Sequence, residues 1–134
     1  MTAFFDTNVL VYTVTSDPRK MQADRVLRGG GVVSVQVLNE FVSVARRKLK
    51  HDWPDIELAL SQFRLSFDAV RPLTLDTHTS AVALARSHGL AFYDALVVAA
   101  AVEAGCDILY SEDMQHGRII GGLTIRNPFL EAAQ

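Results

Sequence analysis

Four carboxylates in this chain stand where one type of secondary structure gives way to another: Asp6, Glu40, Asp94 and Asp113. Asp6 follows the apolar Ala3, Phe4 and Phe5 and is followed by Thr7 and Asn8, the pattern of a buried strand that ends in polar groups. Ligands of open parallel α/β sheets sit beyond the carboxyl ends of the strands, so an acid at this point faces a cleft. Helix capping is the competing role, because Asp, Thr and Asn are all good N-caps and a helical turn can start at Val9. Residues 107–110 repeat the pattern and end in Ser111, Glu112 and Asp113. Asp94 precedes an apolar run, where the helix dipole favours an anion and a cap is the ordinary explanation. Glu40 lies one turn from a strand end and off the apolar stripe of its helix, a position where a solvated glutamate is unremarkable.

If the four meet, they need company. Two carboxylates ~5 Å apart repel by about 3 kcal/mol at an effective dielectric near 20, so protons or cations must accompany them. An all-oxygen set without nearby histidine or thiol suits magnesium or manganese, which leave water positions open for a phosphate substrate. Such an ion polarises a phosphodiester and lowers the pKa of its bound water, and a pair stabilises both attacking and leaving oxygens. Thr7, Asn8 and Ser111 are placed to orient ligands or water from behind.

Whether the acids meet depends on the elements that carry them. After the first strand, residues 9–14 read as a short helix or turn, and Asp17-Pro18 opens a helix that runs to about Leu27 and stops at Gly29, Gly30 and Gly31. Residues 32–35 read as a second strand. A helix follows over residues 36–50, with Val37, Leu38, Phe41, Val42, Ala45 and Leu49 at helical spacing. Its basic end, residues 46–51, suits the helix dipole, and phosphate contact is the competing reading. The next helix, residues 54–67, has two apolar faces: Ile56, Leu60, Phe63 and Phe67 on one, Leu58 and Leu65 nearly opposite. It is either sandwiched inside the domain or shared with another chain.

A third strand over residues 70–75 contains Pro72, which confines it to a sheet edge. Residues 76–88 form an amphipathic helix with Ala81, Leu84 and Ala85 inward, stopped by Gly89. Residues 95–102 are apolar on every side, as a helix packed on all faces requires. The fourth strand spans residues 107–110, residues 114–117 are a loop, and residues 121–125 read as a short fifth strand. Alternating strands and helices imply a doubly wound, mostly parallel α/β sheet with right-handed crossovers. That topology brings Asp6 and Asp113 to one sheet edge and two helix starts, with Glu40 and Asp94, to the same place.

Composition sets the outer bounds. At 134 residues, 49% hydrophobic and 21% charged, the chain reads as one ordinary globular domain over residues 1–134. Its formal charge is −2; with four of the 15 acids gathered in one site, 11 remain against 13 basic side chains, a balance that permits nucleic acid without arguing for it. The lone Cys106 reads as a small buried residue, and the four histidines show no metal-ligand spacing. No apolar run approaches the ~20 residues that span a bilayer, and a cytoplasmic location with no membrane contact is expected.

Residues 5–10, Asn39-Glu40-Phe41, Tyr93-Asp94-Ala95 and residues 110–114 together resemble the four acidic blocks of PIN-domain ribonucleases, and their order and the chain length are most similar to VapC-type toxins of bacterial toxin–antitoxin systems. The resemblance covers nearly the whole chain. It implies a three-layer α/β/α fold around a five-stranded, mostly parallel sheet, magnesium- or manganese-dependent endonucleolytic cleavage of RNA, a homodimer, and inhibition by a cognate VapB-like antitoxin. Residue by residue, it implies that Asp6, Glu40, Asp94 and Asp113 are the metal-binding and catalytic quartet, supported by Ser111 and Thr7. Ser111 stands where many members carry threonine, and either Glu112 or Asp113 can be the fourth acid. Two other readings compete. Asp6-Thr7-Asn8-Val9 also resembles the nucleophile loop of haloacid-dehalogenase phosphatases, with Asn8 in place of the second aspartate; and an acidic pocket beside a two-faced helix also suits a non-catalytic module that captures a basic peptide.

Overall fold

The computed structural model describes residues 2–132, in which six short strands form one sheet. These are β1 (Ala3–Phe5), β2 (Val32–Ser34), β3 (Ala69–Arg71), β4 (Ile108–Tyr110), β5 (Ile119–Ile120) and β6 (Leu123–Arg126), in the order β3-β2-β1-β4-β6-β5. All neighbours run parallel except β5 with β6. The helices are α1 (Thr7–Tyr12), α2 (Lys20–Arg28), α3 (Val35–Arg47), α4 (Trp53–Ser66), α5 (Leu75–His88), α6 (Phe92–Glu103) and α7 (Pro128–Ala132), and the sheet lies between helical layers.

The strands are short but their burial is deep. Phe4, Phe5, Val33 and Leu109 are fully buried, as expected where a parallel sheet is covered on both faces. The chain passes from β1 outward to β2 and β3, then returns to place β4 on the other side of β1. The order therefore reverses between β1 and β4, where a doubly wound sheet opens its ligand crevice. Register fixes the detail: Phe5 pairs with Tyr110, so the residues that follow them, Asp6 and Ser111, leave the sheet side by side.

Several local expectations are realised for the stated reasons. Strand β3 is at the sheet edge as expected, but it ends at Arg71; Pro72 follows the strand and does not stand within it, and Leu75 already belongs to α5. Residues Ala95 to Ala101 of α6 are all buried, and Cys106 is buried too. Helix α4 has two sides: Ile56, Ala59 and Phe63 are buried, whereas Leu58 is 59% and Leu65 88% exposed. No single helix among the described residues is long and apolar enough to cross a membrane.

Other boundaries move. Pro18 does not open α2; it sits in a turn in which the Lys20 amide donates to the Asp17 carbonyl at 3.0 Å, and the helix starts at Lys20. Val35 begins α3 because the Ser34 hydroxyl takes the Val37 amide and caps the helix there. Gly121 and Gly122, with φ of 55° and 83°, form the turn of a β5–β6 hairpin and are not part of the last strand. The sheet thus has five parallel strands and a sixth, antiparallel one of two residues.

Gly31 sits where backbones approach closely. Its φ is +147°, and a Cβ added there would stand 2.6 Å from both the Ala3 carbonyl oxygen and a Phe5 ring carbon. Neither can retreat from β1. Gly31→Ala is expected to destabilise by about 3 kcal/mol or more, measurable by urea denaturation, because strain and overpacking coincide.

Candidate active site

Asp6 does two things at once. As N-cap of α1 its Oδ1 accepts the Thr7 amide at 2.7 Å, and its Oδ2 accepts the Ser111 hydroxyl at 2.8 Å. It also lines the cleft at the carboxyl ends of β1 and β4, so capping and cleft-facing are not alternatives here. Burial pushes its carboxyl up to about 6; the Ser111 and Thr7 hydrogen bonds oppose the rise, and the charges of Asp94 and Glu40 add to it.

Glu40 projects from α3 toward the same space. Its Oε2 accepts the Thr7 hydroxyl at 2.6 Å and its Oε1 the Gln36 amide at 3.2 Å. Asp94 lies in the first turn of α6 but does not cap it; Ala91 occupies the cap position without a side-chain bond. None of the hydrogen bonds that hold the other three acids reaches Asp94. Its carboxyl is pushed upward by burial, then by the charges of Asp113 and Glu40.

The β4–β5 loop separates its two acids. Asp113 accepts the Asn8 side-chain amide at 2.7 Å, whereas Glu112 turns away to the Arg19 guanidinium at 2.6 Å. Arg19 also pairs with Asp17 at 2.8 Å and lies 4.4 Å over the Tyr12 ring, which fastens the segment before α2 to the loop carrying Asp113. Asp113, and not Glu112, is therefore the fourth acid of the cleft.

Asp6, Glu40, Asp94 and Asp113 share a cavity of about 210 Å³ with Thr7 and Asn8. A larger cavity between α2 and α4, about 550 Å³, has Asp24 as its one acid, so size does not mark the chemistry here. The cleft wall also contains Ser43 and Arg47, which the reading of the sequence left out of the site. Their signal was present, since residues 40, 43 and 47 lie on one face of a helix. Ser111 is fully buried behind Asp6.

The donor types fit a hard divalent cation: four carboxylates, two of them raised in pKa by burial and, to a lesser degree, by their neighbours' charge, with no histidine or thiol on the wall. Among the described residues, however, no three His, Cys, Asp or Glu side chains are arranged to hold one ion. The local donors on Thr7, Gln36, Asn8 and Ser111 occupy Asp6, Glu40 and Asp113 instead.

Ser111 is the support whose loss has the clearest consequence. Ser111→Ala removes the hydroxyl from Asp6 Oδ2 and also the acceptor of the Met114 amide, both in buried surroundings. A loss of about 1–3 kcal/mol in thermal or urea stability is expected.

A PIN domain family model matches residues 3–120. No curated protein matches the sequence. Among solved structures, the fold is similar to Mycobacterium tuberculosis VapC20, a Sarcin-Ricin loop cleaving toxin, with a TM-score of 0.69 at 24% identity over 84% of this chain and 90% of that one. A toxin–antitoxin complex from Klebsiella pneumoniae is similar with a TM-score of 0.70 at 25% identity, covering 95% and 98%. DNA-bound VapBC from Salmonella typhimurium has a TM-score of 0.66 at 16% identity over 94% and 97%. The match over residues 3–120, carried on a sheet whose crevice gathers four acids, means that the chain belongs to the PIN domain family.

Proposed function

We propose that the chain, residues 1–134 acting as one PIN domain, is a magnesium- or manganese-dependent endoribonuclease and the toxin of a VapBC-type toxin–antitoxin pair. The observation that carries this reading is the convergence of Asp6, Glu40, Asp94 and Asp113, remote in sequence, on one cleft. Likeness in fold to a toxin described as cleaving the Sarcin-Ricin loop, and to toxin–antitoxin complexes, supports RNA as substrate and a VapB-like antitoxin as partner.

In this reading Asp6 and Asp94 hold the principal ion, and Glu40 and Asp113 complete the site or position a second ion and water. The bound ion supplies charge neutralisation to the phosphodiester and acidifies a water. The chain supplies the rest. Thr7 fixes Glu40 through its hydroxyl and Asp6 through its amide, Ser111 fixes Asp6, and Asn8 fixes Asp113. A phosphatase mechanism with Asp6 as nucleophile is disfavoured because Asn8 stands where the second aspartate of that loop is expected, and its side chain donates to Asp113.

A homodimer and an antitoxin require two surfaces. Exposed apolar residues occur on two sets of helices: Leu58 and Leu65 on α4, and Leu75, Val82, Phe92 and Tyr93 on α5 and α6. Partner-free protein is expected to cut RNA when manganese is added and to lose that activity in EDTA, with a manganese-dependent rise in melting temperature. If manganese neither raises the melting temperature nor supports cleavage, the cleft is a binding pocket for a basic segment and the enzyme reading is wrong.

A further inference from the structure

The acidic cleft is not isolated. A second cavity, about 490 Å³, adjoins it, and Asn8 and Val44 line both. Consecutive cations at the end of α3 serve the two sides: Arg47 lines the acidic cleft, and Lys48 lines the second cavity. The ion pairs among the described residues belong to Arg19 and Lys20, so both of these cations are unpaired. For Arg47 this is unexpected beside four carboxylates. Its Nε is tied to the Ser43 hydroxyl at 3.1 Å, which holds the guanidinium at the rim with its terminal N–H groups free.

The second cavity differs in character from the first. Val11, Val44 and Leu49 give it apolar wall, and Thr15 and Ser16 bring hydroxyls. Its one acid, Asp17, is already neutralised by Arg19 through two contacts of 2.9 and 2.8 Å, which leaves Lys48 as its uncompensated charge. Its volume lies in the range of cavities that enclose small organic groups. The Tyr12 ring is covered by Arg19 at 4.4 Å and by the Phe129 ring in an edge contact at 5.0 Å, so recognition there falls to hydroxyls and apolar wall and not to stacking on Tyr12.

We propose that the second cavity receives the ribonucleotide adjoining the scissile phosphate, and that Arg47 and Lys48 grip the phosphates on either side of the Asn8–Val44 saddle. This rests on the endoribonuclease reading and specifies its substrate as single-stranded or looped RNA. A paired base has to leave its stack to enter the cavity, whereas an unpaired one does not.

The test reads binding and not cutting. A short fluorescently labelled single-stranded RNA of mixed sequence is titrated by anisotropy at several salt concentrations in the Asp94→Asn background, where the RNA stays intact. Arg47→Ala and Lys48→Ala are each expected to flatten the log K against log salt slope by about 0.7, one phosphate contact apiece. Arg46→Ala and Lys50→Ala, which lie outside both cavities, leave the slope unchanged; Arg46 already donates to the His51 carbonyl and packs over Trp53. Ser16→Trp, an exposed substitution that fills the second cavity, is expected to weaken binding about tenfold at constant slope. Equal effects from all four basic substitutions, no effect from Arg47→Ala and Lys48→Ala, or full affinity in Ser16→Trp would each overturn the proposal. A wild type that binds in this pattern yet cuts nothing with manganese overturns the nuclease reading alone.

Discussion

Asp94→Asn is expected to abolish RNA cleavage while leaving the protein folded. The side chain neither caps α6 nor takes part in the hydrogen bonds that hold Asp6, Glu40 and Asp113, so an amide at this position deprives no neighbour of a partner. What the amide removes is charge. Burial raises the pKa of Asp94, the repulsion of Asp113 and Glu40 adds to the rise, and both costs of holding a charge there disappear in the variant. The melting temperature in EDTA at pH 7 is therefore expected to equal or exceed that of the wild type. Activity moves the other way. Changing a residue that merely supports a metal ligand reduces affinity or activity 10–100-fold, so loss of a proposed ligand is expected to reduce cleavage by at least about 100-fold. Mapping new RNA 5′ ends in cells expressing wild type or variant reads both activity and target. Full activity in the folded variant would contradict the assignment.

The metal-free protein should become less stable as pH rises from about 4 to 6, and a divalent ion should remove the decline. The folded-state pKa of Asp6 is about 6, above its ordinary value of 3.8, so the folded chain holds this proton more tightly than the unfolded chain. Below about pH 4 both states are protonated and the full stability is present. As pH climbs through the folded pKa the unfolded state ionises first and stability is lost, with the loss complete above about pH 6. A difference of roughly two pH units corresponds to about 3 kcal/mol. Asp94 acts in the same direction. Ion-paired acids with lowered pKa, such as Asp17, act in the opposite sense, so the comparison is made against Asp6→Asn. Its amide oxygen can still accept the Thr7 amide, and the Ser111 hydroxyl can turn to accept from its NH₂ group. Urea midpoints across this pH range in EDTA should fall more steeply in the wild type than in Asp6→Asn, and the difference should vanish in manganese. Parallel profiles would remove Asp6 as the source.

The convergence of the acids was legible because it follows from topology more than from side-chain detail. Once strands and helices alternate, the ends of β1 and β4 share an edge, and the pairing of Phe5 with Tyr110 carries Asp6 and Asp113 there. The edge position of β3 was expected from a proline within the strand, whereas Pro72 stands just past Arg71, where its missing amide proton suits the end of the ladder. Contacts that join distant segments were not legible. Nothing in local spacing tells that Arg19 claims Glu112 and leaves Asp113 to the cleft. A strand as short as β5 shows no alternation in the sequence, and Gly121 and Gly122, next to apolar residues, look like part of a strand although their positive φ makes them its turn. Arg47 was read as one of a cluster favoured by the helix dipole, which describes Arg46 adequately; its place on the cleft wall follows from the helix face it shares with Glu40. For Asp6 the choice between cap and cleft was a false one, since a carboxylate has two oxygens and the fold engages both.

Whether the four acids are a cation site decides the chemistry of the cleft. The most direct measurement is anomalous scattering from crystals soaked in manganese. The expected result is a strong peak in the cleft bounded by Asp6 and Asp94, absent from crystals of Asp94→Asn. Manganese seated elsewhere on the molecule, with the cleft empty in well-ordered wild-type crystals, would contradict it.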